Sequence, residues 1–268
     1  MKYRISIIMG LYNCSLTLDE AINSLLNQTY KNWKLIMCDD GSIDDSYELA
    51  KKYAIKYTNI ILIKNKTNKG LNYTLNRCLK YVDTEYVARM DADDISLPNR
   101  LEKEILFLEN HREYAFVSSN MIYFDENGDW GKGHSKARPL KEDFIYGTPF
   151  CHAPCMIRTT VYRKVGGYSE SKWLLRVEDY HLWYKMYLFG YRGYNLKEPL
   201  YKMRDDRKAM SRRKFRYRLN ETYVKWLIFK NFKVSYSKIF FILKPLIVGI
   251  LPVPLYKFLH RKGVDRYP

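Results

Sequence analysis

The chain has 268 residues and 47% hydrophobic content, which argue against disorder except at the ends and allow one large domain or one domain with an appendage. Its formal net charge of +17 would suit a nucleic-acid-binding protein, but this charge is unevenly distributed. Residues 201–268 contain 18 Lys or Arg against four acidic residues, a net charge of +14, whereas residues 1–200 carry only +3. The positive field therefore belongs to the C-terminal segment.

The cysteines and the N-terminal segment bear on the cellular compartment. Five cysteines, at positions 14, 38, 78, 151 and 155, are an odd number scattered through predicted strands and helices. Because this is not the pattern of a disulfide framework, we expect reduced thiols in the cytoplasm. Cys151, His152 and Cys155 lack a second ligand pair at suitable spacing, so a structural zinc ion is not expected. The apolar start at residues 5–9 is too short for a signal peptide.

The first hundred residues alternate short β-branched apolar runs with amphipathic segments. This pattern is typical of strand and helix units that feed a mostly parallel sheet. In chain order it predicts strands over 5–9, 33–38, 60–64 and 86–90, and helices over 18–27, 42–57 and 71–82. The predicted fold class is therefore α/β.

The sheet is expected to become mixed after residue 100. The pattern predicts a helix over 100–110, a strand near 116–124 and a hairpin turn at Asn127-Gly128. Glycine and proline cluster between residues 131 and 154, which indicates loops over a site rather than a linker. A later helix is predicted to begin at Arg176 and to continue through Leu188.

The C-terminal segment mixes Arg and Lys with aromatic residues and then becomes apolar over residues 239–256. Lys244 and three prolines interrupt this run, whereas a spanning helix needs about 20 uninterrupted apolar residues. We therefore predict a catalytic domain over 1–205 and a basic, apolar helical tail over 206–268 that lies on the membrane, with its basic residues on anionic head groups. The alternatives are a re-entrant segment and a helical subdomain packed on the core, since short apolar runs discriminate weakly.

Three acidic residues, Asp91, Asp93 and Asp94, follow the fourth predicted strand. Ligands of open α/β sheets bind outside the carboxyl ends of the strands, so these carboxylates are expected to face a crevice. They repel one another unless a cation is present, and hard oxygen ligands suit Mg²⁺ or Mn²⁺, which in turn suits a diphosphate. The alternative for an isolated Asp-x-Asp is a solvated acidic turn.

A second acidic pair, Asp39 and Asp40, ends the second predicted strand and should open onto the same edge of the sheet. A carboxylate there could accept hydrogen bonds from a base N–H or from ribose hydroxyls. The alternative is that one of the two caps the following helix together with Ser42.

Glu178 and Asp179 form a third acidic group, at the start of a predicted helix. Transferring a group from a diphosphate to a hydroxyl requires a base for the proton of that hydroxyl, and a metal or cationic donors for the leaving phosphate. Either carboxylate can supply that base. The alternative is a pair of first-turn acids that favour the helix dipole.

The order and spacing of several motifs resemble those of family 2 glycosyltransferases. On the donor side these are residues 7–13, 25–30, 39–46, 68–70 with Asn76, and 91–94 with Pro98 and Arg100. On the acceptor side they are His152, Met156, Arg158, residues 166–168, and residues 178–179 with 182–183. The resemblance covers roughly residues 3–205, and the tail lies outside it.

The resemblance implies a GT-A fold, which is Rossmann-like with a mostly parallel central sheet flanked by helices. It also implies inversion at the anomeric carbon and a nucleoside-diphosphate-sugar donor, with a UDP-linked sugar as the first expectation. By motif position, Tyr12 and Asp40 would contact the nucleotide base, with Asp39 beside them. Asp91 and Ala92 would also belong to the nucleotide site.

The remaining site residues also follow from motif position. Asp93 would be the main ligand of a Mn²⁺ or Mg²⁺ ion, and Asp91 would be its neighbour. Asp94 would turn toward the donor sugar. On the acceptor side, Asp179 would be the base, with Glu178 as the less favoured candidate and His152 steadying the acceptor or the diphosphate.

The favoured function is transfer of one sugar to a lipid-linked or polysaccharide acceptor in O-antigen, lipopolysaccharide or capsule synthesis, by a protein attached peripherally to the cytoplasmic face of the membrane. A nucleic-acid-binding protein is the first alternative, because the basic tail contains aromatic residues, but the proline-broken apolar run argues against a nucleic-acid partner. A nucleotidyltransferase is the second, but it needs a glycine-rich basic phosphate loop after the first strand, and residues 10–14 do not form one.

Overall fold

The structure is a computed structural model that describes residues 3–205, 214–250 and the backbone of 265–266. Its centre is one mixed sheet of ten strands. The strands are β1 (Ile5–Leu11), β2 (Trp33–Asp39), β3 (Ile60–Lys64), β4 (Tyr86–Arg89), β5 (Ile95–Ser96), β6 (Phe116–Asp125), β7 (Gly128–Gly133), β8 (Met156–Arg158), β9 (Gly193–Arg204) and β10 (Asp265–Arg266). The helices are α1 (Leu18–Leu26), α2 (Ser46–Lys56), α3 (Leu71–Leu79), α4 (Arg100–Asn110), α5 (Thr159–Val165), α6 (Glu178–Leu188), α7 (Phe215–Asn231) and α8 (Phe240–Ile250).

The N-terminal half of the sheet is parallel, in the order β4, β1, β2, β3. β1 and β2 are covered on both faces, which explains why their sequences are almost continuously apolar. Alternate residues serve opposite sides: Ile8 and Ile36 belong to one buried cluster, and Ile7 and Leu35 belong to the other. The carboxyl ends of β1, β2 and β4 consequently meet at one edge.

The second half of the sheet is mixed, as expected. β8 runs antiparallel to both β4 and β6, while β9 runs parallel to β6 and also pairs with β5. The α/β class and the flanking helices are confirmed. Within the segment predicted as loops, β7 extends to Gly133 and residues 141–146 form a 3-10 helix.

Most predicted elements occur within a few residues of their observed ends. α2 is the clearest difference, because it begins at Ser46 and not at Ser42. Residues 42–45 form a turn that binds the loop after β1: Asn13 N–H donates to Ser42 Oγ over 3.1 Å, and Ser15 N–H donates to Asp44 Oδ2 over 3.1 Å. The side chains of Ser42 and Asp44 therefore accept hydrogen bonds from the loop after β1, and residues 42–45 do not extend the helix.

Helices α7 and α8 pack on the rest of the molecule. Val224 and Ile228 of α7 and Ile242 of α8 are buried in the same cluster as Trp183 of α6. No helix within the described residues is long and apolar enough to cross a membrane. The end of the predicted apolar run, residues 251–256, lies outside the described residues, and the predicted domain boundary after residue 205 stays a prediction.

A buried ion pair fixes α4 behind the end of β4. The side chains of Arg100 and Glu104 are wholly buried, with 3.1 Å between Nε and Oε1. Arg100 Nη2 also donates to the carbonyl oxygens of Arg89, Ala153 and Cys155 over 2.8, 3.3 and 3.4 Å. One guanidinium therefore connects α4, β4 and the segment that enters β8.

Replacing Arg100 with methionine should destabilise the protein by about 3–5 kcal/mol, because it leaves Glu104 buried without its partner. Equilibrium unfolding in urea would measure the change. Lys103→Met is the matched control, since it breaks an exposed ion pair with Glu198 and should change stability by about 1 kcal/mol or less. Equal unfolding midpoints for the two variants would contradict a structural role for the buried pair.

Candidate active site

A cleft of about 440 Å³ opens at the edge where β1, β2 and β4 end. Its lining comes from widely separated segments: residues 10–12 and 14, Asp40, residues 68, 70–72 and 74, residues 91–93, residues 175, 176 and 178, and Tyr217 of α7. Each of the three predicted acidic groups therefore contributes at least one residue to the lining of this cleft. Of the remaining predicted residues, Tyr12 and Ala92 also line it, whereas Asp39, Asp94, His152 and Asp179 do not.

Asp40 holds the loop at residues 65–70, which contributes Asn68 and Gly70 to the wall of the cleft. Its carboxylate accepts hydrogen bonds from the backbone N–H groups of Lys69 and Gly70, each over 2.8 Å, and from Asn65 Nδ2 over 2.6 Å. The side chain is buried and occupied by these contacts. Asp40 therefore shapes the cleft through the loop that it binds.

Asp39 lies beneath this wall and is fully buried. Its Oδ2 accepts from the N–H groups of Gly41 and Ser42 over 3.2 and 3.3 Å. Its Oδ1 is buried and has no hydrogen-bond partner among the described residues. A buried acceptor without a partner is uncommon in folded proteins. Asp39 does not line the cleft, so a ligand donor reaches this oxygen only if the residues that cover it move.

Asp91, Asp93 and Asp94 form an acidic triad whose carboxylate oxygens all lie within 4.8 Å of one another. Asp93 is exposed, Asp91 is half-buried and Asp94 is buried. Burial, followed by repulsion from Asp91 and Asp93, raises the pKa of Asp94 well above its usual value. Three hard oxygen donors that repel one another fit a divalent cation, which would relieve this repulsion.

Residues distant in the sequence hold the triad in place. The buried guanidinium of Arg89 is paired with Asp91 from below, and the backbone N–H of Asp91 donates to the hydroxyl of Tyr201 over 3.1 Å. At the other end, the backbone N–H of Arg204 donates to Asp94 Oδ1 over 2.8 Å. Both Tyr201 and Arg204 belong to β9, and no local signal in the sequence identified that strand as part of the site.

Glu178 and Asp179 occupy the first turn of α6. Burial, reinforced by the neighbouring Asp179, raises the pKa of Glu178 to about 7. Burial also raises the pKa of Asp179, while the positive charge of Arg89 acts in the opposite direction. A carboxylate with a raised pKa is a better proton acceptor near neutral pH than a solvated one.

His152 is buried in the core rather than in the cleft lining. Its Nε2 lies 2.7 Å from the hydroxyl of Tyr168, which lies 2.9 Å from the hydroxyl of Tyr162. Burial, together with the positive charge of Arg89, lowers the pKa of His152 well below its usual value. The imidazole is therefore neutral, and its expected role at the acceptor stays a prediction.

Arg176 and Tyr217 are among the cleft residues that the sequence did not identify as site residues. Arg176 stands two positions before Glu178, and its backbone has a φ of +66° that the sequence does not reveal. Tyr217 belongs to α7, in the segment predicted to be a membrane tail. Its contribution to the cleft follows from the packing of α7, so no motif could have shown it.

A Rossmann-like sheet whose strand ends carry an acidic triad, beside a carboxylate pair at a helix start, defines a nucleotide-sugar-dependent transferase of the GT-A type. Residues 6–166 match the family described as Glycosyl transferase family 2. The chain belongs to this family, as the order of the sequence motifs predicted.

Comparisons with individual proteins agree with this membership. EpsE of Bacillus subtilis (strain 168) is 44% identical over 262 residues, which cover 97% of this chain and 94% of EpsE. WfaP of Escherichia coli, a UDP-Glc:alpha-D-GlcNAc-diphosphoundecaprenol beta-1,3-glucosyltransferase, is 31% identical over 191 residues, which cover 71% of this chain and 73% of WfaP. The crystal structure of S. aureus TarS 1-349 in complex with UDP-GlcNAc has a TM-score of 0.71 at 21% identity, over 92% of this chain and 72% of that chain. The last likeness concerns the fold.

Proposed function

We propose that this glycosyltransferase moves a sugar, with inversion, from a UDP-sugar to a hydroxyl of a lipid-linked or polysaccharide acceptor of the cell envelope, such as O-antigen, lipopolysaccharide or capsule. The observation that carries the proposal is the convergence of the acidic triad, the wall held by Asp40 and the start of α6 on one cleft. The name of WfaP supports both a UDP-linked donor and a lipid-diphosphate acceptor.

On the donor side, the nucleotide lies against the exposed ring of Tyr12 and along residues 91–92. Asp39 Oδ1 has no partner among the described residues, and it would receive a donor group of the base or ribose once the residues that cover it move aside. Asp40 acts beside it by holding residues 65–70. This arrangement divides base recognition and wall positioning between two adjacent carboxylates.

In the proposed site, Asp93 and Asp91 would hold a Mn²⁺ or Mg²⁺ ion, and Asp94, which is buried beside them, would turn toward the donor sugar. When bound, the ion supplies positive charge that stabilises the leaving diphosphate. Arg89 holds Asp91 from within the core, and Arg204 holds Asp94 through its backbone. The chain thereby fixes the orientation of these carboxylates from two sides.

On the acceptor side, Asp179 accepts the proton as the acceptor hydroxyl attacks the anomeric carbon. A new carbon–oxygen bond forms there while the bond to the diphosphate oxygen breaks, and the diphosphate leaves with that electron pair. Glu178 is the second candidate for the base because it lines the cleft. His152 is neutral and packs near Trp183, with ring centres 5.9 Å apart, so it supports this side of the site from the core.

Thermal stabilisation by nucleotide sugars tests the donor assignment. UDP-sugars with Mn²⁺ should stabilise the protein, since a ligand at a hundredfold its dissociation constant adds about 2.7 kcal/mol. Asp93→Asn should remove the dependence on Mn²⁺ because it replaces a charged ligand in the triad. Asp83→Asn, at an exposed residue paired with Lys34, is the matched control and should respond as the wild type does. Unchanged Mn²⁺ dependence in Asp93→Asn would refute the metal assignment.

The variant Asp179→Asn should lower turnover by about 10²-fold or more and leave donor affinity nearly unchanged, because an amide cannot accept the proton. In the wild type, turnover should fall as the pH drops through the raised pKa of Asp179, since only the ionised carboxylate is a base. Steady-state kinetics across pH would measure both effects. If Glu178→Gln lost turnover while Asp179→Asn kept normal turnover, the base would be Glu178 and not Asp179.

We also propose that helices α7 and α8 attach the protein to the cytoplasmic membrane surface. Exposed apolar side chains follow both helices: Phe215, Leu219, Tyr223 and Trp226 on α7, and Ile239, Phe240, Leu243, Ile247 and Ile250 at and along α8. Residues 214–250 contain eight basic residues and one acidic residue. Apolar side chains next to basic ones fit an interface that contains anionic lipid head groups.

Replacing Phe240 and Leu243 together with serine should weaken binding to vesicles that contain anionic lipid by about tenfold or more, because two apolar side chains no longer enter the interface. Co-sedimentation would measure this. Ile55→Ser with Leu106→Ser is the matched control, since these side chains are 78% and 54% exposed, against 77% and 51% for Phe240 and Leu243, but lie on α2 and α4. Equal vesicle binding by both double variants would contradict attachment through α8.

A further inference from the structure

Arg176 is the only basic residue among the described residues that line the cleft. The acidic lining residues are Asp40, Asp91, Asp93 and Glu178. Such a lining repels an anion, so a diphosphate needs positive charge besides that of any cation bound by the triad. Arg176 is the chain's own source of that charge in the cleft.

The backbone of Arg176 has a strained conformation at the cleft. Its φ of +66° lies in the left-handed region, and among the described non-glycine residues only Asn13 and Lys233 also have a positive φ. This region is unfavourable for a residue with a long side chain, and such residues persist where the surrounding structure holds them, often at functional sites. The strain therefore indicates a constraint on where Arg176 must lie.

Helix α7 supplies part of that constraint. The buried Asn220 donates from Nδ2 to the carbonyl oxygen of Leu175 over 2.9 Å, immediately before the strained residue. On the other side, the N–H of His181 donates to the carbonyl of Val177 over 2.9 Å, at the start of α6. Arg176 is thus held between α7 and the helix that carries the carboxylate pair.

The guanidinium of Arg176 has no hydrogen bond or ion pair with any described residue, although the side chain is exposed at the cleft. Other arginines around the site have their charge satisfied: Arg89 pairs with Asp91, and Arg204 pairs with Glu20. A guanidinium presents five donors in a planar arrangement that matches two phosphate oxygens at once, and that of Arg176 donates to none of the described residues.

From these observations we infer that Arg176 is a diphosphate-binding residue of the cleft and that Asn220 is its positioning residue. This inference rests on the proposed function and deepens it by assigning the diphosphate a second positive group, besides the cation. A diphosphate can come from two sources: the donor, whose diphosphate gains charge as the sugar leaves, or a lipid-linked acceptor. The chemistry of recognition is the same for both.

Binding measurements on the whole chain test whether Arg176 contacts the diphosphate of UDP. By calorimetry in the presence of Mn²⁺, Arg176→Met should weaken UDP binding by about tenfold or more, because a charged hydrogen-bonding partner is lost. UMP, which lacks the second phosphate, should bind both proteins equally. Arg176→Lys should recover part of the affinity, since it keeps the charge but not the planar geometry.

Kinetics identify the source of the diphosphate. One acceptor sugar would be offered on a lipid diphosphate and on a neutral alkyl group. A higher KM in Arg176→Met for the diphosphate acceptor alone, with UDP affinity unchanged, assigns Arg176 to the acceptor, whereas loss of UDP affinity assigns it to the donor. Unchanged UDP affinity together with unchanged KM for both acceptors would overturn the inference.

Glycine variants test the strain separately from the charge. Arg176→Gly should raise the melting temperature by about 2–4 °C, because glycine adopts a positive φ freely, yet it should lose UDP affinity as Arg176→Met does. Lys233→Gly is the matched control, since Lys233 has a φ of +53° outside the cleft and its variant should keep full affinity. Full UDP affinity and unchanged acceptor kinetics in Arg176→Gly would contradict the binding role.

The positioning role of Asn220 has its own readout. Asn220→Ser should weaken UDP binding without changing UMP binding, whereas a purely structural defect would affect both nucleotides. Equal loss for UDP and UMP would overturn the positioning role. If the wild-type protein bound no nucleotide or nucleotide sugar with Mn²⁺, the proposed function itself would fail. If the wild type bound UDP, and Arg176→Met had the same UDP affinity and the same KM for both acceptors, only the role of Arg176 would fail.

Discussion

The buried guanidinium of Arg100 is the contact on which the site most depends. It binds Glu104 within α4 and three backbone carbonyls that belong to Arg89, Ala153 and Cys155. These contacts fix the end of β4, directly before the acidic triad, against the segment that enters β8. Because a buried charge without partners is strongly unfavourable, this arrangement is essentially obligatory in the folded state.

Crowded negative charge is the second organising feature. The triad, the pair at the start of α6 and Asp40 all approach one cleft, and burial raises the pKa of Asp94, Glu178 and Asp179. Arg89, buried below, offsets part of this repulsion through its pair with Asp91. Carboxylates held together in this way attract a cation, and a bound cation would in turn attract a diphosphate.

The C-terminal helices belong physically to the catalytic core, whatever surface they also contact. α7 contributes Tyr217 to the cleft lining and Asn220 to the turn before α6, and its buried face shares a cluster with Trp183. The same helix carries exposed apolar side chains, including Trp226. In the proposed function, one helix therefore lies between a membrane surface and the cleft, which suits an acceptor that arrives from the lipid phase.

The sequence by itself determined the α/β class, the family and the convergence of acidic strand ends, because local apolar periodicity defines parallel strands and their carboxyl ends must share an edge. Tertiary structure alone decided that Asp40 is occupied by the loop at 65–70, that Asp39 Oδ1 has no partner among the described residues, and that His152 lies in the core. It also decided that Tyr201 and Asn220 take part in the site. Those outcomes depend on hydrogen bonds and packing between segments tens to more than a hundred positions apart, and no local pattern encodes such contacts.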